Sequence, residues 1–383
     1  MHYIRFLSPP RVQIDRGNIL LKAVLTITTD LGETYYPQNI ELVATIRASE
    51  HDGDIYLRRR IPWKGESGAR SVPVVFQLTH QDVEWPACMH VSVPAHSSAK
   101  LSGFLPPIVD IWSGPMNPTK GLMSSGHRVE RRFLSLSERE VGLLEDAGDS
   151  IARHLWDGSQ ALAQHFDQMI SLSTPSMPGL EHLFLSATYR KLHVLELGCG
   201  CGTVGISLAQ TVPDCDVLLT DLPEVEDLVT ANIARMNGAM GAKVSFSPLD
   251  WEDSLPRRLQ NRANDLIVVS ECTYNTDTLQ PLVSTLVNLT NRSPKAMIVV
   301  ATKTRHESEA AFFDLMREQG LVEDGSARIK LPGLPGTGFA DAATDIGLHV
   351  FRGGGDEALA GGRPGSGRKE RRERAELRRG TTG

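Results

Sequence analysis

The feature that most constrains the fold is an apolar run, Val194 to Leu197, that leads straight into the glycine-rich turn GCGCGT. A strand, a turn of this kind and a helix in succession are typical of nucleotide-binding α/β proteins. A side chain at Gly198, Gly200 or Gly202 would hold a ligand away from the backbone, so glycine here favours close contact with one. The helix that begins near Thr203 would direct unpaired N–H groups at that ligand.

The glycines alone leave two cofactors open, because Gly200, Gly202 and Gly205 also satisfy the G-x-G-x-x-G pattern of dinucleotide-binding proteins. Glu196, two residues before the first glycine, favours S-adenosylmethionine. Its carboxylate suits the positively charged amino group of the methionine part and would repel a pyrophosphate. Asp221, about twenty residues further on, suits the ribose hydroxyls of either cofactor.

A third candidate contact follows the third predicted strand, at Leu249-Asp250-Trp251. Asp250 offers a carboxylate to an exocyclic amine, and Trp251 offers an aromatic face on which adenine can stack. A packing role for Trp251 is the alternative. The sequence therefore predicts a cofactor site formed by the ends of three strands.

The rest of the chain separates into two kinds of pattern. From Leu192 onward, apolar runs alternate with amphipathic segments, which predicts a parallel α/β sheet. The expected strands are His193–Leu197, Asp216–Thr220, Val244–Phe246, Leu266–Val269 and Ala296–Ala301, and the expected helices include Glu224–Met236 and Ser308–Gln319. Before about residue 112 the runs are short, have β character and are separated by turn residues.

We therefore predict a β-rich accessory domain over residues 1–112, a linker over 113–136 and the methyltransferase domain over 137–352. Helical patterns are expected to begin near Ser137. Residues 353–383 form a basic tail that we expect to be disordered. We favour a solvated charged tail, and a segment for nuclear import or RNA contact is the alternative.

Composition excludes several classes of function. A net charge of −6 and a pI near 6.1 argue against nucleic-acid binding over the whole surface. The five cysteines have neither zinc-site nor disulfide spacing, so we expect no metal and a reducing compartment, the cytoplasm or the nucleus. No apolar stretch approaches the roughly 18 residues of a membrane span. The oligomeric state stays open.

Several anchors together resemble the seven-β-strand lysine methyltransferases of the methyltransferase-like group, methyltransferase family 16. The resemblance runs from about Glu145 to Phe351. Its anchors are Asp146 to Gly158, Glu196 to Gly202, Asp221, Leu249 to Trp251, and Ser270 to Asn275.

The resemblance implies a doubly wound, mostly parallel, seven-stranded Rossmann-like sheet and a protein substrate with an acceptor lysine. It also implies that Trp156 and Ser270 lie at the cofactor. One departure stands out, because the family has Asp-x-x-Tyr after its fourth strand and this chain has Glu271-x-x-Tyr274.

Methyl transfer to lysine needs a neutral amine. We expect Glu271 to position the incoming ammonium group and to receive its proton through water, and Tyr274 to orient the amine. Cys272 is not expected to act as a nucleophile, since no base is evident beside it. There are two alternatives: the chain methylates a small molecule or RNA, or it is a binding module that has lost catalytic turnover.

Overall fold

The computed structural model describes residues 1–15, 18–49, 53–79, 81–94, 105–148, 150–173, 177–303, 310–333 and 345–354. The basic tail that we predicted lies almost wholly outside the described residues. None of the helices in these described ranges combines the length and the hydrophobicity that a membrane-spanning helix requires.

The first part of the chain forms two sheets that pack face to face. The four-stranded sheet has the order β5-β2-β1-β7, and the six-stranded sheet has the order β10-β9-β8-β6-β3-β4. Alternate residues of both sheets, such as Leu21, Leu42 and Trp63, share one buried core. The strands are β1 His2–Asp15, β2 Asn18–Thr29, β3 Asn39–Ala48, β4 Ile55–Lys64, β5 Val72–Leu78, β6 Ala87–Ser92, β7 Ile108–Val109, β8 Ile111–Ser113, β9 Arg128–Leu134 and β10 Glu140–Asp146.

The prediction of a linker over residues 113–136 is wrong. This segment contains β9, which pairs with β8 on one side and with β10 on the other. The helical pattern expected from Ser137 is also absent, because β10 is a strand. The sequence did not reveal these two strands because each has a charged residue at an inward-facing position. Arg131 and Glu145 are both buried, and their side chains form an ion pair at 2.8 Å. The six-stranded sheet therefore extends to Asp146, past the predicted start of the methyltransferase domain at residue 137. The other boundaries of the two outer domains stay predictions.

The second part forms a seven-stranded sheet of order β13-β12-β11-β14-β15-β17-β16, in which β17 is antiparallel to both neighbours. This is the expected doubly wound, mostly parallel Rossmann-like α/β sheet. The five strands expected from sequence are present, with ends within three residues of those predicted. The strands are β11 Leu192–Leu197, β12 Cys215–Asp221, β13 Lys243–Pro248, β14 Leu266–Ser270, β15 Met297–Thr302, β16 Leu321–Lys330 and β17 Asp345–Gly353.

Helices cover both faces of this sheet, because successive strand residues point to opposite sides. Val194 and Val268 pack in one cluster with α1 to α4, whereas Leu195 and Val269 pack in another with α6 and α7. The helices are α1 Asp157–Ile170, α2 Pro178–Ser186, α3 Thr203–Thr211, α4 Glu226–Arg235, α5 Arg257–Gln260, α6 Thr276–Arg292 and α7 Ala310–Glu318. Because β11 pairs in parallel with both β12 and β14, the carboxyl ends of these three strands lie at the same edge of the sheet.

Candidate functional site

A cavity of about 590 Å³ lies at the carboxyl ends of β11, β12 and β14. This volume falls within the range of small-molecule binding sites. Sheets of this kind bind ligands where the strand order reverses, which here is the carboxyl end of β11. Ten of the eleven predicted site residues line the cavity: Trp156, Glu196, Gly198, Gly200, Asp221, Asp250, Trp251, Ser270, Glu271 and Tyr274. Gly202 is the exception.

The glycine-rich turn after β11 needs its glycines for two different reasons. Gly198, Gly200 and Gly202 all have positive φ, between 52° and 80°. A Cβ at Gly198 would lie 2.4 Å from the sulfur of Cys272, so the turn could not approach β14 with any side chain there. At Gly202 an added Cβ would meet core side chains of Ile206 and Leu219, so this glycine serves the packing of α3.

Glu196 is the most perturbed acid of the cavity. It is 2 % exposed, and its Oε2 accepts the backbone N–H of Gly205 in α3 at 2.8 Å. Burial raises its pKa to about 8, the hydrogen bond from Gly205 opposes the rise and the charge of Asp221 adds to it. Glu196 is therefore mostly protonated at neutral pH until a cation approaches it.

Asp221 lines the cavity at the end of β12. Its two carboxylate oxygens accept the backbone N–H groups of Gly200 and Leu222, each at 2.7 Å. Burial raises its pKa. The hydrogen bond from Gly200 fixes the glycine-rich turn against the end of β12. The position of the Asp221 carboxylate relative to the turn is therefore fixed as well.

Asp250 and Trp251 follow β13 and extend the wall formed by Asp221. The N–H of Leu249 donates to the carbonyl of Asp221 at 2.8 Å. The Trp251 ring lies beside the glycine-rich turn, since a Cβ at Gly198 would be 3.3 Å from its Cζ2. The indole of Trp251 thus borders the cavity beside this turn.

The segment after β14 also lines the cavity. Ser270 is 8 % exposed, and its hydroxyl has no hydrogen-bond partner among the residues that the structure describes. Glu271 has a φ of +58°, and its Oε1 accepts the backbone N–H of Gly158 in α1 at 2.9 Å. The side chain of Glu271 is therefore anchored by a helix N-terminus.

Tyr274 and Cys272 differ in their exposure. Tyr274 is 56 % exposed at the mouth of the cavity, and partial burial raises its pKa. Cys272 is buried, and burial raises the pKa of its thiol far above the ordinary value. The thiol is protonated, which agrees with the expectation that Cys272 is not a nucleophile.

One wall of the cavity was not predicted from sequence beyond Trp156. It consists of residues 150–156, and a Cβ at Gly200 would lie 2.9 Å from the carbonyl oxygen of Ala152. Trp156 faces the cavity and donates its indole N–H to the carbonyl of Ile151 at 3.2 Å. This loop has no periodic pattern, so only the family anchors Asp146 to Gly158 drew attention to it.

The charges at the cavity have one sign. No lysine or arginine is among its lining residues in the described part of the chain. Six acidic side chains line it, those of Glu196, Asp221, Glu224, Asp250, Glu252 and Glu271. This charge favours cationic ligands and disfavours phosphates.

Comparison with known proteins shows similarity to a methyltransferase family. Residues 135–319 match the family model described as lysine methyltransferase, methyltransferase family 16. The chain is also 28 % identical over 315 residues to a UPF0665 family protein of Schizosaccharomyces pombe, a match that covers 81 % of this chain and 91 % of that protein.

Two named lysine methyltransferases are each similar to a part of this chain. The EEF1A lysine methyltransferase 3 of Mus musculus is 26 % identical, and the match covers 45 % of this chain and 66 % of that protein. The calmodulin-lysine N-methyltransferase of Arabidopsis thaliana is 28 % identical, with 43 % and 45 % covered. This chain spans less than two thirds of either protein.

Proposed function

We propose that this chain, whose residues 135–319 match the lysine methyltransferase family model, is an S-adenosylmethionine-dependent enzyme that methylates a lysine side chain of another protein. The observation that carries the proposal is the anionic cavity at the glycine-rich turn, which is lined by six acidic side chains and, in the described part of the chain, by no lysine or arginine. Both the methyl donor, a sulfonium, and the arriving lysine, an ammonium ion, are cations.

The residues of the cavity fit S-adenosylmethionine. Glu196 would hold its amino group, and Asp221 would receive the ribose hydroxyls. Asp250 and Trp251 would bind the adenine, and Trp156 would close the cavity from the side of α1. The unsatisfied hydroxyl of Ser270 is a buried polar group that a ligand can satisfy. When bound, S-adenosylmethionine supplies the methyl group for an in-line displacement.

Glu271 and Tyr274 are the residues that we assign to the acceptor. The anchored carboxylate of Glu271 attracts and aligns the lysine ammonium, and the exposed ring of Tyr274 orients it at the mouth. A free lysine has a pKa of about 10.4, so presenting it as a neutral amine at pH 7 costs roughly 4 to 5 kcal/mol. Glu271 then receives the proton through water and passes it to the solvent at the mouth.

Incubation with labelled S-adenosylmethionine tests this proposal. The purified chain is added to a cell extract, which is then separated into protein, RNA and small-molecule fractions. We expect the label in the protein fraction. Label in RNA or in small molecules would assign another acceptor. Binding measured by calorimetry without incorporation in any fraction would indicate a binding module that has lost turnover.

We also propose that the enzyme works in the cytoplasm or the nucleus. The support for this location is that all five cysteines are buried and none forms a disulfide, which fits a reducing compartment.

A further inference from the structure

Lys303 links the β-rich region to the region that forms the cavity. It follows β15, and its Nζ lies 2.7 Å from Oδ2 of Asp157 and 3.3 Å from Oδ1 of Asp30. Asp157 begins α1, whereas Asp30 follows β2. The side chains of these two aspartates are 0 % and 1 % exposed, so water competes little with the ion pairs. One ammonium group thus holds two carboxylates from opposite sides of the interface.

Tyr3 of β1 makes a second link to the same aspartate. Its hydroxyl, which is fully buried, donates to Oδ1 of Asp157 at 2.8 Å. Burial opposes the ionisation of Asp157, but the N-terminal ammonium of Met1, which lies 2.8 Å from its Oδ2, and the ammonium of Lys303 hold its pKa below the ordinary value. Asp157 therefore stays negative and binds Tyr3 and Lys303 at once.

The residues on either side of Asp157 reach the cavity. Trp156 lines it, and Gly158 donates its N–H to Glu271. A Cβ at Gly158 would lie 2.2 Å from Oε1 of Glu271, so this contact requires glycine. Three consecutive residues therefore connect the interface with the carboxylate that we assign to the acceptor.

We propose that Lys303 and Tyr3 are positioning residues, which act through Asp157 and Gly158 to hold the Glu271 carboxylate where the acceptor amine binds. The inference rests on the proposed function, because it concerns the acceptor side of that site. It gives the β-rich region a part in turnover in addition to its packing. A shift of about 1 Å at a reacting group can lower a rate roughly 10²-fold.

The variant Tyr3→Phe tests the inference with little change in packing, since only one hydroxyl is lost. Its matched control is Thr26→Val in β2, which removes a buried hydroxyl that donates to the carbonyl of Arg70 at 2.8 Å and does not contact Asp157. We expect similar decreases in melting temperature. Only Tyr3→Phe should lower kcat, by roughly tenfold, with the Kd for S-adenosylmethionine changed by less than about twofold.

Two further measurements separate positioning from stability. Lys303→Arg keeps the charge and should retain part of the kcat that Lys303→Met loses. Hydrogen exchange at the Gly158 amide should be faster in Tyr3→Phe and unchanged in Thr26→Val. Equal kcat values in Tyr3→Phe and Thr26→Val, with equal exchange at Gly158, would overturn the inference.

These outcomes also distinguish the inference from the proposed function. If the wild-type chain neither binds S-adenosylmethionine nor transfers a methyl group, the proposed function fails. The exchange measurement still decides whether Tyr3 fixes Gly158, because it needs no turnover.

Discussion

The buried acid Glu196 should make the binding of S-adenosylmethionine depend on pH. In the free protein its pKa is about 8, because burial disfavours the charged form. The amino group of the ligand is a cation and requires the charged form. Binding must therefore release a proton from Glu196 wherever the pH is below 8.

The size of the effect follows from the fraction of Glu196 that is ionised. With a pKa of about 8, roughly a tenth of the carboxyl is ionised at pH 7 and about a hundredth at pH 6. The affinity should therefore rise about ninefold from pH 6 to pH 7, which corresponds to about 1.3 kcal/mol. The ligand's own amino group stays mostly protonated in this window, since α-amino groups have a pKa of about 7.7 to 8.0.

Titration calorimetry at pH 6, 6.5 and 7 measures this dependence directly. Repeating each titration in two buffers that differ in ionisation enthalpy gives the number of protons released, which should be close to one. The variant Glu196→Gln is the control, and its weaker affinity should be constant over the same range. A constant affinity in the wild-type chain, without proton release, would refute the assignment of Glu196 to the amino group.

Three substitutions test other parts of the site and fold. Glu271→Gln should lower kcat by roughly 10²-fold while the Kd for S-adenosylmethionine stays within about twofold, and wild-type turnover would remove Glu271 from the mechanism. Gly198→Ala should abolish the binding of S-adenosylmethionine in calorimetry, because the φ of Gly198 is +63° and the new Cβ would lie 2.4 Å from the Cys272 sulfur. The control variant Gly148→Ala should bind it normally, because a Cβ at Gly148 meets nothing within 4 Å. Arg131→Met leaves the buried carboxylate of Glu145 without its partner and should cost about 3 to 5 kcal/mol in urea unfolding; a loss below about 1 kcal/mol would contradict that account.

Sequence predicted the parts of the fold in which burial follows hydrophobicity. β14 and β15 are continuous apolar runs because both faces of a parallel sheet are covered by helices, and each of their residues is buried. The helix predicted to end before Gly320 ends at Glu318, and Gly320 has a φ of +78°. Local pattern and tertiary environment agree at these positions.

Sequence failed where charged residues are buried or where no period exists. β9 has the sequence RVERRFL, in which Arg131 has the character of a surface residue. Only the folded structure shows that Arg131 faces inward, because its ion-pair partner Glu145 lies on the neighbouring strand. The predicted site residues at strand ends come together because parallel strands end at one edge. The contacts of Asp157 with Tyr3 and Lys303 span 154 and 146 residues, so no local signal could reveal them.

The most direct test of the central claim is mass spectrometry of extract proteins after incubation with the purified chain and S-adenosylmethionine that carries a deuterated methyl group. The account predicts deuterated methyl on a lysine side chain with the wild-type chain, and none with Gly198→Ala. Protein lysines that stay unlabelled while the wild-type chain binds the cofactor would contradict it.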